Sequence, residues 1–386
     1  MTRILPVLVV LAVAVVAAQE PVFRGDARLV RVDVSVLDAK KQPVRDLTAA
    51  DFRVTERGKV LSVQAFQMIV VPADNGPRSG AQADGPEPGD RGVPVTSSAA
   101  EGTGEVTSIN PGRLIVLVMD DGMTPLEPRW MAQAKKITRS IVKGMGPNDR
   151  MALQFTRAGT TRLELTTDKS ALLAAVERFD PGGFLALPPT RPSWADEEPR
   201  YWRTLSTIQN TVDAVGPLTD RQKMIVYVGP GIPQNGDLFR ARDALHRAAQ
   251  RANVVIYTFD PTGLDTLEDY VYEKVLLGGL MAPRPDGRRP LMSDLMQVAQ
   301  AKGRSIARET NEFSASLAEN TNGRASIRSD IFEPAVAQMF ADTSVYYLIA
   351  VAPPTAVPDG KFHEVTVTIN RPGVEVRSRR GYHYHK

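Results

Sequence analysis

The sequence predicts an α/β fold, a mostly parallel sheet flanked by helices, inserted into a β-sandwich formed by the N- and C-terminal strands. Three observations predict it. Across residues 112–344, the continuous apolar runs "RLIVLVMD", "QKMIVYVG" and "NVVIYTFD" alternate with segments of helical spacing, the pattern of strands buried on both faces and joined by crossover helices. Residues 22–71 instead alternate with period two, as strands with one buried face do. Residues 345–382 return to that β character in "SVYYLIAVAP", "FHEVTVTIN" and "VEVRSRRGY", and so supply the sheet that the N-terminal strands need as a partner.

The chain opens "MTRILPVLVVLAVAVVAAQE", with Arg3 ahead of an apolar run from Ile4 to Ala18. The run is shorter than the ~20 residues of a bilayer span and closes on Val16-Ala17-Ala18, small residues suited to signal cleavage. Residues 1–18 therefore read as a signal peptide. That predicts an extracytoplasmic chain, periplasmic or secreted, with no stable membrane span after cleavage; an uncleaved anchor is the other reading. The sequence holds no Cys, which removes a lipobox, disulfides, thiol catalysis and thiolate metal sites. Its 47 Lys and Arg are scattered among 44 Asp and Glu, so no nucleic-acid stripe is expected.

In "ARLVRVDVSVLD", Val30, Val32, Val34 and Val36 fall on one face, and Arg31, Asp33 and Ser35 on the other. "DFRVTERGKVLSVQAF" adds two short strands around Glu56-Arg57-Gly58. Residues 72–111 are rich in Gly and Pro, without an aromatic residue or any periodicity. They cannot offset backbone ordering at ~1–2 kcal/mol per residue, and read as a disordered linker. Then "PRWMAQAKKITRSIVKGM" spaces Trp130, Ala134, Ile137 and Ile141 as a helix, and "RMALQFT" and "TTRLELT" read as strands. "DKSALLAAVERF" is a helix capped by Asp168, followed by helices in "RYWRTLSTIQNTVDAV" and "DLFRARDALHRAAQRA". "EFSASLAENT" and "IFEPAVAQMFADT" are helices around a short strand at "RASI". Residues 261–304, where the loop "PRPDGRRP" separates two weakly helical stretches, read as an insertion.

The stretch "LIVLVMDDGMTP" runs a strand into Asp120-Asp121, at the strand end where α/β folds bind ligands. With Thr124 these offer two carboxylates and a hydroxyl to a hard divalent cation such as Mg²⁺. The competing reading is that Asp120 or Asp121 caps the turn and the following helix. "GPGIPQNG" has Gln234 where a phosphate loop needs its third glycine, and reads as a turn. Neither G-x-S-x-G nor H-E-x-x-H occurs. Of the four histidines, His246 lies on the polar side of an Arg-rich helix and reads as solvated. His383 and His385 share a strand face, either a transition-metal pair or a frayed tail, and no role is read for His363. Glu197-Glu198, between prolines, reads as a solvated loop. Trp194, Tyr201 and Trp202 with Arg200 and Arg203 form either a protein-binding hot spot near the sheet's C-terminal edge or core beneath a loop.

The blocks "VRDLTAADFRVTERGKVLSVQAF", "RLIVLVMDD", "LAENTNGRASI" and "VAPPTAVPDGKFHEVTVTINRPGVEVRSRRGY", in that order, resemble the VWFA-related domain proteins of the Acidobacteria type. The resemblance runs from about Val22 to Tyr382, apart from the linker and the insertion. It implies an exported protein with a von Willebrand A-like core, whose metal-ion-dependent adhesion site is D-x-S-x-S after the first strand, a Thr from a second loop and an Asp after the fourth strand. Aligning Asp120 with the first Asp puts Gly122 and Thr124 at the serine positions. Gly229-Pro230-Gly231 replaces the later acid, and "DPGGFLALPPT" offers only Thr190. The site is thus degenerate. The expectation is a non-enzymatic protein-binding or scaffold protein, with no cofactor and an unidentified protein partner. The alternative is a metal-dependent extracytoplasmic adhesin or enzyme using Asp120, Asp121 and Thr124.

Overall fold

A computed structural model describes residues 29–72, 112–157, 163–182, 194–218, 221–234, 236–264, 267–281, 291–354, 361–378 and 381–383. The signal segment, the linker from residue 73, Thr190, the loop "PRPDGRRP" and His385 lie outside the described residues, as do the side chains of Trp194, Glu197 and His383.

The N-terminal strands are β1 (Val30–Leu37), β2 (Phe52–Glu56), β3 (Lys59–Val60) and β4 (Val63–Val70). A five-stranded parallel sheet follows, of β5 (Arg113–Met119), β6 (Arg150–Phe155), β7 (Gln222–Val228), β8 (Val254–Phe259) and β9 (Ala325–Ser326), in the order β6-β5-β7-β8-β9. The C-terminal strands are β10 (Val345–Val351), β11 (Phe362–Ile369), β12 (Glu375–Ser378) and β13 (Gly381–His383). They interleave with the N-terminal ones in two antiparallel sheets, β12-β1-β10-β4 and β13-β11-β2-β3. The period-two valines explain the packing. Val32, Val34 and Val36 are fully buried against Val54, Tyr347, Ile349 and Val367. "VEVRSRRGY" is two strands rather than one, since β12 and β13 belong to different sheets.

Every residue of β5 is buried because helices cover both faces of the parallel sheet. Ile115, Leu117 and Met119 pack against α1 (Pro128–Lys143), α2 (Lys169–Glu177) and α7 (Glu333–Asp342). Leu114, Val116 and Val118 pack toward α3 (Trp194–Val215), α4 (Gly236–Ala252), α5 (Leu267–Met281) and α6 (Met292–Glu319). Trp130, Ala134, Ile137 and Ile141 are the buried stripe of α1, and the Asp168 carboxylate caps α2 by accepting from the Ser170 and Ala171 amides. No helix among the described residues is long and apolar enough to cross a membrane.

Three expectations change. "TTRLELT" forms no strand in its described part, only an isolated bridge between Thr166 and Met151. α3 spans Trp194–Val215, so the predicted helix over "RYWRTLSTIQNTVDAV" extends back over Trp194, Glu197 and Glu198, which read as loop, and Pro199 removes one hydrogen bond without ending the helix. α6 runs unbroken across Arg304, and its Ile306, Phe313 and Leu317 join the core with Leu267, Tyr270 and Val271 of α5. The stretch read as an insertion therefore supplies part of a helical layer.

The polar face of β1 is half-buried at Arg31 and Asp33 and buried at Ser35. It covers the start of β7 and β8, where Asp33 accepts from Asn253, and the Asp342 carboxylate accepts from Arg377 and Arg324, both at 2.7 Å. Asn253 (φ 54°) and Asn322 (φ 64°) follow α4 and α6 in left-handed conformations that Asn tolerates. A cavity of about 40 Å³ lies between these groups, lined in part by Asp33, Gln222, Tyr257 and Arg377.

Candidate functional site

Asp120 follows β5 directly, and its amide still bonds the Val228 carbonyl at 2.9 Å. Its carboxylate is fully buried. Oδ1 accepts from the Gly122 amide (3.1 Å), the Met123 amide (3.0 Å) and the Thr156 hydroxyl (2.6 Å). Oδ2 accepts from the hydroxyls of Thr204 (2.8 Å) and Tyr227 (2.6 Å). A carboxylate has about four lone-pair sites, so these donors occupy both oxygens. Burial raises the Asp120 pKa, opposed by the hydroxyl and amide donors. Burial, then the neighbouring Asp120 charge, holds the Tyr227 phenol well above its usual range, so it stays a donor.

Asp121 is nearly buried and accepts through Oδ1 from the Thr156 hydroxyl (3.0 Å) and the Arg157 amide (2.8 Å). Thr156, at the end of β6, therefore bridges the two carboxylates. Thr124 is buried with them, but its hydroxyl donates to the Asp120 main-chain carbonyl at 2.6 Å. Asp120 caps its own turn; α1 begins at Pro128 without a side-chain cap. The glycine after β7 has a steric cause. A Cβ at Gly229 would lie 2.6 Å from the Tyr227 hydroxyl oxygen and 2.7 Å from the Asp120 Cβ. The phenol occupies the space that a larger residue there would need.

These residues do not fit a divalent cation at Asp120. The groups around it aim hydrogens at the carboxylate, whereas a hard cation needs six or more oxygens converging on one point. Among the described residues, no group of three His, Cys, Asp or Glu side chains converges in a way that could hold a metal.

The aromatic and basic group on α3 divides. Tyr201 is core, packed in the cluster of Val118 and Trp130. Arg200 donates to the Gly122 carbonyl at 3.2 Å and ties α3 to the Asp120 loop. Trp202 is partly exposed, with its indole donating to Glu198 at 3.3 Å, and Arg203 is exposed. His246 is buried rather than solvated: burial, then the Arg242 charge, lowers its pKa to about 4. His363 joins a buried cluster inside the sandwich. Its Nδ1 lies 2.6 Å from Glu56 Oε1, and Tyr382 donates to the other Glu56 oxygen at 2.9 Å.

Sequence reasoning missed Thr156, Thr204, Tyr227 and Asp260. Tyr227 carried a signal, because a phenol inside a buried aliphatic strand needs a polar partner. Asp260, at the end of β8, is buried with Thr262 as its hydrogen-bonding partner at 2.8 and 2.9 Å, and burial raises its pKa to about 6.

No protein-family model matches the chain, and no curated protein is similar to it. Among solved structures, an aerotolerance-related membrane protein from Bacteroides fragilis is 17% identical, over 60% of this chain and 98% of its own, with a TM-score of 0.36. The conserved hypothetical protein BatB from Bacteroides thetaiotaomicron is 11% identical over 60% and 98%, with a TM-score of 0.36. The manganese-loaded TRAP protein of Plasmodium vivax is 12% identical over 71% and 96%, with a TM-score of 0.31. Likeness at that level carries no argument about the site.

Proposed function

We propose that the chain is an exported, non-enzymatic binding or scaffold protein, in which a von Willebrand A-like domain carries a degenerate metal site. The observation that carries this reading is the saturation of Asp120 by Thr156, Thr204, Tyr227 and two amides. A buried carboxylate satisfied in this way is a structural anchor for the loops at the sheet's C-terminal edge. The apolar N-terminal run supports export, and Trp202 and Arg203 are the exposed members of the group on α3 that supports protein recognition.

A second reading, a metal-dependent adhesin or enzyme using Asp120, Asp121 and Thr124, starts from the closeness of the Asp120 and Asp121 carboxylates about Thr156, and requires the Thr156, Thr204 and Tyr227 hydroxyls to give up the Asp120 carboxylate. Titration calorimetry and thermal melts with Mg²⁺, Mn²⁺ and Ca²⁺ separate the two. Neither heat nor a melting shift is expected. A shift abolished by Asp120→Ala would overturn the non-metal reading.

A further inference from the structure

The cavity of about 40 Å³ between the sandwich and the α/β unit has polar walls. β1 and β12 supply Ser35, Arg377 and Ser378 from one side, and the α/β unit supplies Gln222, Tyr257 and Asp342 from the other. Direct bonds cross the junction at its rim. Arg377 donates to Asp342 at 2.7 Å, and the Asn322 side-chain amide donates to the Ser378 carbonyl at 2.9 Å. Inside that rim the chain offers fewer partners than there are polar groups. Gln222 Oε1 is buried without a hydrogen bond. Tyr257 is 2% exposed, and no described residue hydrogen-bonds its hydroxyl. Burial, then the Asp342 charge, holds that phenol above its usual range, so it stays a donor in search of an acceptor. An interior rarely leaves such groups unpaired, because each then loses the hydrogen bonds that water gave it.

We propose that this cavity is a hydration site, where a small cluster of ordered water molecules joins Gln222 and Tyr257 of the α/β unit to Ser35 and Ser378 of the sandwich. Size, chemistry and charge identify the occupant. A buried water needs roughly 10–15 Å³ of cavity and about two to four polar partners. About 40 Å³ therefore holds roughly three waters and excludes an organic ligand. Water both donates and accepts, which an amide oxygen set among hydroxyls requires. The bordering charges are already matched, Asp342 by Arg324 and Arg377, and Asp33 by Arg31, so the occupant is neutral. The joint between the two units is then a wet one, with bridging waters completing the hydrogen bonds that direct contacts do not reach.

A crystal structure of the full chain that shows ordered water, with a second crystal soaked in rubidium chloride, is the test. Expected are waters in the cavity that each bridge at least two of these side chains, and no anomalous signal from rubidium among them. Tyr257→Phe keeps the ring and removes the hydroxyl. It should lose a water from the cavity and lower the melting temperature by on the order of 2 °C. Oxygen-17 relaxation dispersion, which counts long-lived internal waters in solution, should fall from the wild type to this variant, with circular dichroism to check its fold. The wild-type crystal decides by itself where the variant does not fold. A dry cavity overturns the proposal, as does a rubidium peak, which would make the occupant a monovalent cation. Hydration indifferent to Tyr257→Phe equally overturns it.

Discussion

The Tyr227 hydroxyl donates to Asp120 Oδ2 at 2.6 Å across neighbouring strands, and Gly229, two residues beyond the tyrosine, leaves the room it needs. Phenol, carboxylate and glycine form one packing unit. Gly229→Ala is expected to destabilise the protein by about 1–3 kcal/mol, the usual cost of overpacking. Tyr227→Val should lower that cost in a double-mutant cycle read by urea unfolding. Additive effects would show that the two positions do not share this space.

Asp120→Ala leaves the Thr204 and Tyr227 hydroxyls without their acceptor inside the domain. The expected loss is about 3–5 kcal/mol, at the scale of breaking a buried charged network. Chemical denaturation checks it, and a loss below 1 kcal/mol (roughly one ordinary hydrogen bond) would mean that water reaches the site.

Asp149 illustrates the same physics at the opposite edge of the sheet. Its buried carboxylate accepts from the Arg113 amide at 2.7 Å and pairs with the Arg113 guanidinium at 2.8 Å. Arg113→Met leaves that charge uncompensated and should cost about 3–5 kcal/mol, whereas Arg113→Met with Asp149→Leu should recover much of it. The comparison of the two melting curves decides.

Asp260 and His246 make opposite contributions to acid stability. The Asp260 pKa is raised from the usual 3.8 to about 6, so the folded state holds its proton more tightly, and stability from this group increases as pH falls from about 6 toward 4. Asp260→Asn should remove that dependence and raise stability at pH 7 by on the order of 2 kcal/mol. The His246 pKa is lowered from 6.5 to about 4, so its contribution is present above 6.5 and lost as pH falls toward 4. His246→Leu should therefore flatten the acid side. Unfolding free energies measured at pH 4, 5, 6 and 7 (about the windows set by these groups) separate the two slopes.

Asp342 joins Arg324 and Arg377 at the junction of the sandwich and the α/β layer. Asp342→Ala removes the carboxylate that Arg324 and Arg377 share and leaves them only Glu375 as an acidic partner among the described residues, and scanning calorimetry should then resolve two transitions in place of one. A single transition would show that the apolar contacts alone couple the two parts.

The fold class was legible because its signals are local. Continuous apolar runs require cover on both faces, and the valines of β1 require it on one. "TTRLELT" misled because its described residues, Leu163 to Thr166, pair with a neighbour only through the bridge between Thr166 and Met151. The helix over "RYWRTLSTIQNTVDAV" was legible, but its first residues, Trp194 to Pro199, were hidden by Pro199, whose cost the buried Tyr201, Leu205 and Ile208 outweigh. His246 was hidden among arginines, since polar neighbours in sequence do not report which side of α4 is covered.

The sequence by itself determined where a site was to be sought: at Asp120, where a strand buried on both faces ends. Only the tertiary structure decided what that carboxylate does. Thr156, Thr204 and Tyr227 reach it from 36, 84 and 107 residues away. Nothing local in the sequence aligns three hydroxyls on one carboxylate; the register of β5 against β6 and β7, and the seating of α3 over them, does so. Long-range packing turned a strand-end acid into a buried, hydrogen-bonded anchor.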